Sequence, residues 1–138
     1  MDAIYPTELE IKETIDSPRF VNFVGLRLEI DNRKLVTSLF DKRDDFDFNI
    51  VNYPFLSSNI PSSPAYCVFV SQLIRYSRSS SDYSDFVKRS SNLVTKLLNQ
   101  GFSLKNLKNS FKKCYGCHHI VTKYDRSMSS ITNDIVGV

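Results

Sequence analysis

Cysteine is scarce and odd in number here: Cys67, Cys114 and Cys117 are the only thiols in 138 residues. That count does not suit a secreted disulfide framework and fits a reducing compartment. No apolar run approaches the ~18 residues that mark a membrane span, so no membrane partner is expected. The opening MDAIYPTELEIKE has neither a basic n-region nor an apolar h-region, so no secretory signal is expected. G-x-S-x-G, the phosphate-binding loop signature and H-E-x-x-H are all missing. Together these absences point to an intracellular protein, nuclear or cytoplasmic, with no catalytic residues of its own.

What is present is ordinary in amount and uneven in place. A chain of 138 residues with 41% hydrophobic and 24% charged residues can bury a core without disulfide staples. The net charge of +3 hides a division. Residues 1–60 carry 7 Lys/Arg against 11 Asp/Glu, whereas residues 61–138 carry 11 against 4. A basic half beside an acidic one is a hint of a polyanion-facing surface.

The local patterns change at the same place. Val24, Leu26, Leu28 and Ile30 alternate with Phe23, Gly25, Arg27 and Glu29, which predicts a strand with one buried face. Asp31-Asn32-Arg33-Lys34 reads as a turn, and residues 34–40 as the second arm of a hairpin. Residues 8–14, ELEIKET, are a candidate third strand. Residues 41–64 hold three of the five prolines and read as an ordered crossing loop, with Phe46, Phe48, Tyr53 and Phe55 available to bury apolar area. Beyond Pro64 the period becomes helical. A first helix is predicted over 65–78. A second is capped by Ser81, buries Tyr83, Phe86, Val87, Leu93, Val94, Leu97 and Leu98, and stops at Gly101. A third runs from Ser103 to about Tyr124, and SMSSITNDIVGV is a frayed end or a short extra helix. The expected fold is α+β: a small antiparallel hairpin or sheet over 1–60, then a three-helix subdomain over 61–138.

The third helix carries the segment that most resembles a chemical motif. Cys114, Cys117 and His118 spell C-x-x-C-H, the haem-attachment pattern, with His119 as a spare ligand, but haem also needs an apolar shell and export to an oxidising compartment, for which there is no signal. At ~100° per residue, Leu104, Leu107, Phe111, Cys114, His118 and Val121 form one packing stripe. Cys114 is then a small buried thiol and no haem is expected. Zinc needs four ligands, and Cys114, His118 and Cys67 offer three, so no metal is assigned. The carboxylates Asp41, Asp44, Asp45 and Asp47 could attract Mg²⁺, but Lys42 and Arg43 among them point to a self-paired loop. The opposite side of the third helix is basic. Lys105, Lys108, Lys112, Lys113, His119 and Lys123 are candidate phosphate contacts, with Arg75 and Arg78 assisting. Tyr115 lies at the border of that face, placed to stack on a base or to pack.

Longer strings carry a resemblance. YPTELEIKET, LRLEIDN, LVTSLFDKRDDFDFNIVNYPFLSSNIPSSPAY, VFVSQLIRYSR, NLVTKLLNQGF and LKNSFKK together resemble the region of retroelement reverse transcriptases, of non-LTR or Penelope-like type, that follows the catalytic Asp-Asp motif. The resemblance covers nearly the whole chain. It implies the end of a palm sheet, a primer-grip-like hairpin and a helical thumb that holds template–primer nucleic acid. The parent activity implied is RNA-directed DNA polymerisation. The metal-binding Asp-Asp carboxylates of the family are not in this chain, so the Mg²⁺ cofactor belongs to the missing catalytic palm, and this chain is not an enzyme on its own. Partners implied are an RNA/DNA duplex, held non-specifically, and the remainder of the polymerase if the frame is longer. Three departures stand out: Phe23-Val24-Gly25 where relatives read Y-L-D, and Cys114 and Cys117 where relatives read an aromatic and an arginine. They suggest a truncated copy. A zinc-stabilised interaction module, or a relic with no selected function, is the alternative.

Overall fold

In the computed structural model of the chain, which describes residues 17, 19–48, 50, 53–117 and 121–137, two left-handed dipeptides shape the sheet. Val24 and Gly25 have φ of 46° and 79°, and Asn32 and Arg33 have 47° and 64°. Positive φ at both central residues is what a two-residue hairpin loop needs to match the twist of its strands. The strands are β1 (Phe20–Phe23), β2 (Leu26–Asp31) and β3 (Lys34–Leu39), an antiparallel meander in the order β1-β2-β3. Phe23 pairs with Leu26 across the first loop and Asp31 with Lys34 across the second.

The DNRK turn is where the sequence predicts it. The continuous strand over 23–30 is not. Val24 and Gly25 are a turn, Val24 is 85% exposed, and Gly25 supplies the positive φ that the loop requires rather than weakening a strand. Alternation continued in the letters through a two-residue loop that reverses the chain. The candidate strand at 8–14 lies outside the described residues.

Cross-strand pairing places Val21, Phe23, Leu26, Leu28, Ile30, Leu35 and Leu39 on one face of the sheet. Only Leu39 reaches the core, while Phe23, Ile30 and Leu35 are each more than 60% exposed. The predicted buried face is therefore open over most of its length, because the helices meet the sheet mainly along β3. After β3, a 3₁₀ turn spans Lys42–Asp45, capped by the Asp41 carboxylate, which accepts from Arg43 N–H at 3.1 Å. Of the four loop aromatics, Tyr53 packs on the core. Phe46, Phe48 and Phe55 stay more than half exposed, and Phe46 and Phe48 lie against one another at 5.3 Å.

Four helices follow: α1 (Ser62–Ser79), α2 (Tyr83–Asn99), α3 (Leu104–Cys117) and α4 (Met128–Val136). The first starts right after Pro61, whose fixed φ suits a helix start. It buries Ala65, Phe69, Leu73 and Tyr76, a stripe with steps of 3 and 4. The second is capped by Asp82 rather than Ser81, since the Asp82 carboxylate accepts from Ser84 N–H at 3.1 Å while the Ser81 hydroxyl is occupied at β3. Phe86, Leu93, Val94 and Leu97 are buried as expected, but Leu98 turns outward. The stop at Gly101 is a Schellman motif: Gly101 N–H donates to Leu98 and Phe102 N–H to Leu97, with Phe102 and Leu97 both buried.

The predicted third helix is too long. It ends at Cys117, and Val121–Tyr124 form a separate 3₁₀ turn that carries Lys123 and Tyr124 to the end of α1. The tail is a fourth helix rather than a frayed end. Ser127 caps it, and Ile131, Ile135 and Val136 join the core formed by α1, α2 and α3. The fold class is α+β as expected, with four α-helices among the described residues, the fourth being the extra helix that was one of the two readings of the tail.

The two helical glycine environments make opposite forecasts. Gly101, at φ 87°, resists a side chain, so Gly101→Ala should cost roughly 1–2 kcal/mol. Gly116 sits inside α3 with nothing within 4 Å of an added Cβ, so Gly116→Ala should stabilise by about 0.5–1 kcal/mol. Urea midpoints of the two variants check both signs.

Candidate nucleic-acid interface

α3 is a 14-residue helix with four lysines and no carboxylate. Its inner face is set by Leu107, Phe111 and Cys114, all at most 2% exposed. Burying that stripe forces the lysines outward. Lys105, Lys112 and Lys113 are exposed and Lys108 is half-buried. Among the described residues, none of the four ammonium groups pairs with a carboxylate. Lys105, Lys108 and Lys112 lie within ~60° of one another around the helix, and Lys113 within ~80° of Lys105. The result is a basic face spanning ~140° of one helix, suited to a polyanion backbone.

The other predicted contacts are placed differently. Lys123 is not on α3. Its ammonium donates to the Ser77 and Ser80 carbonyls, the latter at 2.7 Å, and lies 4.7 Å from the centre of the Tyr124 ring. Burial holds it below the usual lysine range. The end of α1 presents carbonyls with no helical donor, and a cation there also suits the helix dipole. Lys123 is a cap, and the expectation of a phosphate contact is corrected to that extent. Arg75 lies against the Gly25 turn, with its guanidinium 3.6 Å from where a Cβ would stand, so it belongs to the sheet side. Arg78 is exposed on the last turn of α1. His119 and His118 lie outside the described residues. Tyr115 packs: its ring is 6.2 Å from Phe111 and its hydroxyl donates to Arg126 C=O at 2.9 Å.

Cys114 is buried in the core, as the packing stripe implies, whereas Cys67 is exposed on α1. Two of the four carboxylates at 41–47, Asp41 and Asp44, are drawn into ion pairs. The Arg43 Nε donates to both Asp41 oxygens, at 2.8 and 3.0 Å, and this bonded guanidinium holds the Asp41 carboxyl at about 2 against an ordinary 3.8. Asp44 is met by Arg89 of α2, which also donates to Leu39 C=O at 2.8 Å and approaches Asp85. Arg43 was expected from its position in the loop. Arg89, 45 residues away, had no local signal. No helix among the described residues is long and apolar enough to cross a membrane. Comparison of the chain with protein-family models, with curated proteins and with solved structures finds no match.

Two measurements follow from these pairs. Lys123→Ala removes a charged donor from two carbonyls and should cost about 1–2 kcal/mol, read as a lowered thermal midpoint. For Asp41 the folded pKa is below the unfolded one. Its contribution is therefore complete above an ordinary 3.8 and disappears as pH falls toward about 2. Asp41→Asn should flatten the loss of urea stability across that interval, and an unchanged acid profile would refute the role.

Proposed function

We propose that this chain is the post-catalytic palm and thumb portion of a retroelement reverse transcriptase, and that its helical half holds nucleic acid without reading its sequence. The observation that carries the reading is the set of four lysines on the outer face of α3 with no carboxylate partner among the described residues. Such a face gains affinity by releasing counterions from phosphates, and contacts of this kind position a strand but do not specify bases. The reading also suits the open side of the sheet. A face with Phe23, Ile30 and Leu35 uncovered is an interaction surface in general, and in this reading it is where the catalytic part would pack. The chain has no polymerase activity of its own in this reading, because the metal-binding Asp-Asp pair belongs to that other part.

Binding should weaken steeply with salt. Four phosphate contacts correspond to a slope of log K against log salt of roughly −3 to −4. The triple change Lys105→Glu, Lys108→Glu, Lys112→Glu should abolish gel-shift binding at low salt, while Lys123→Ala should leave the slope unchanged. Affinity indifferent to salt, or retained by the triple variant, would sink the proposal.

A further inference from the structure

A cleft of about 340 Å³ opens between α1 and α3, beside the lysine face. Tyr66, Cys67 and Val70 line it from α1, and Asn106, Asn109 and Lys113 line it from α3. Its size lies at the small end of ordinary ligand clefts, which begin at ~300 Å³. No carboxylate lines it, so it is not built for an amine or a metal cation.

The two walls are held in register. The Tyr66 hydroxyl accepts Ser103 N–H at 3.0 Å, and the Asn106 amide reaches the same oxygen at 3.4 Å. The Tyr66 ring is fixed edge-on to Phe102 at 5.2 Å. Tyr66 and Val70 thus supply an apolar strip at fixed spacing. Asn109 and Lys113, by contrast, have no side-chain partner among the described residues. Asn109 has an amide donor and acceptor to offer, functions that can hydrogen-bond the edge of a nucleobase of any kind. Around α3, Asn109 falls ~40° from Lys105 on one side and ~40° from Lys113 on the other. A phosphate backbone lying along the lysines therefore passes over the mouth of the cleft.

We infer that this cleft takes one unstacked nucleotide of a single-stranded RNA or DNA segment whose backbone runs along the α3 lysines. The inference rests on the nucleic-acid reading above and adds to it a preference for single strands. Bases in a duplex are stacked and paired and do not enter a cleft between two helices. Bases of a single strand can be splayed out and held by an apolar wall and a hydrogen-bonding edge.

Cys67 makes the test direct, because its exposed thiol lies inside the cleft while Cys114 is buried. Alkylation of Cys67 by iodoacetamide, followed by peptide mass spectrometry, is measured on the full chain at low salt. It is compared alone, with single-stranded oligouridylate, and with an RNA–DNA duplex of equal length. At saturation the single strand should slow Cys67 about tenfold and the duplex should leave it unchanged. Asn109→Leu, a charge-neutral change on an exposed helical position, should weaken single-strand binding by about tenfold, the value of one or two hydrogen bonds, and spare duplex binding. Single-strand binding with Cys67 reacting at its free rate would overturn the cleft and leave the lysine face standing. Equal protection by duplex would overturn the preference. No binding of either nucleic acid would overturn both readings together.

Discussion

The corner between α1 and α2 has to satisfy a cluster of polar groups that the fold has taken out of water, and the rest of the structure is arranged to do so. Ser77, Ser79 and Ser80 are all buried at the end of α1. Unpaired carbonyls in such a place cost about as much as any lost hydrogen bond. Partners come from three separate parts of the chain. Lys123 donates to the Ser77 and Ser80 carbonyls, and Tyr124 donates to Ser80 C=O at 3.0 Å. Ser81 N–H donates to Thr37 C=O at 2.8 Å, and Thr37 N–H returns to the Ser81 hydroxyl at 2.9 Å. The Ser80 hydroxyl donates to Asp85 at 2.5 Å, joining α2. A stretch that looks like low-complexity serine is the junction of sheet, helices and tail.

That corner also sets where the basic face points. Lys123 and Tyr124 come soon after the end of α3, so their attachment to α1 anchors the C-terminal end of α3. Tyr124 stacks on Phe86 at 5.1 Å and meets Tyr83 edge-on at 5.3 Å, and burial pushes its hydroxyl up to about 12. The N-terminal end of α3 is fixed by Gly101, whose left-handed conformation lets Phe102 fold back on Leu97, and by Tyr66, which accepts Ser103 N–H. With both ends held and Leu107, Phe111 and Cys114 turned inward, the lysines have one orientation left. An interface built this way is presented by packing rather than by a loop, so it costs little ordering when a strand binds.

Periodicity over long, strongly patterned segments was readable from the letters. The inward faces of α1 and α2, the burial of Cys114, the DNRK turn and the glycine stop at 101 all follow from local chemistry that nothing distant opposes. Most failures share a cause, a distant partner that decided the outcome, and the first is a local exception. Val24-Gly25 reads as strand because hydrophobic alternation is blind to a two-residue reversal. Ser81 reads as a cap because its bond to Thr37, 44 residues back, leaves no trace in sequence. The helix predicted to Tyr124 does not include Val121–Tyr124, a 3₁₀ turn whose Lys123 and Tyr124 bond the end of α1. The expected burial of the strand face and loop aromatics assumed a covering layer, and the helices touch the sheet mainly at β3. In the site, the α3 lysines were legible because four cations on 14 residues without an acid have no local partner. The cleft was not, because its walls come from helices ~40 residues apart and its residues, mostly small and polar, form no motif.

The same distinction explains why total charge is a poor guide to where a polyanion meets this molecule. Several cations of the basic half are committed internally. Arg89 holds Asp44 and the Leu39 carbonyl, Arg126 lies 4.3 Å over the Tyr83 ring, and Lys123 caps α1. Conversely, part of the negative charge of the acidic half is neutralised where it stands, since Asp41 and Asp44 are paired with Arg43 and Arg89. A phosphate backbone approaching from solvent is steered by charges that remain free within roughly a Debye length of ~10 Å. On α3 those charges are four lysines without a carboxylate partner among the described residues, and the acids nearest in sequence, Asp85 and Asp125, lie beyond both ends of the helix. Placement, more than the net +3, makes this helix the polyanion-facing surface.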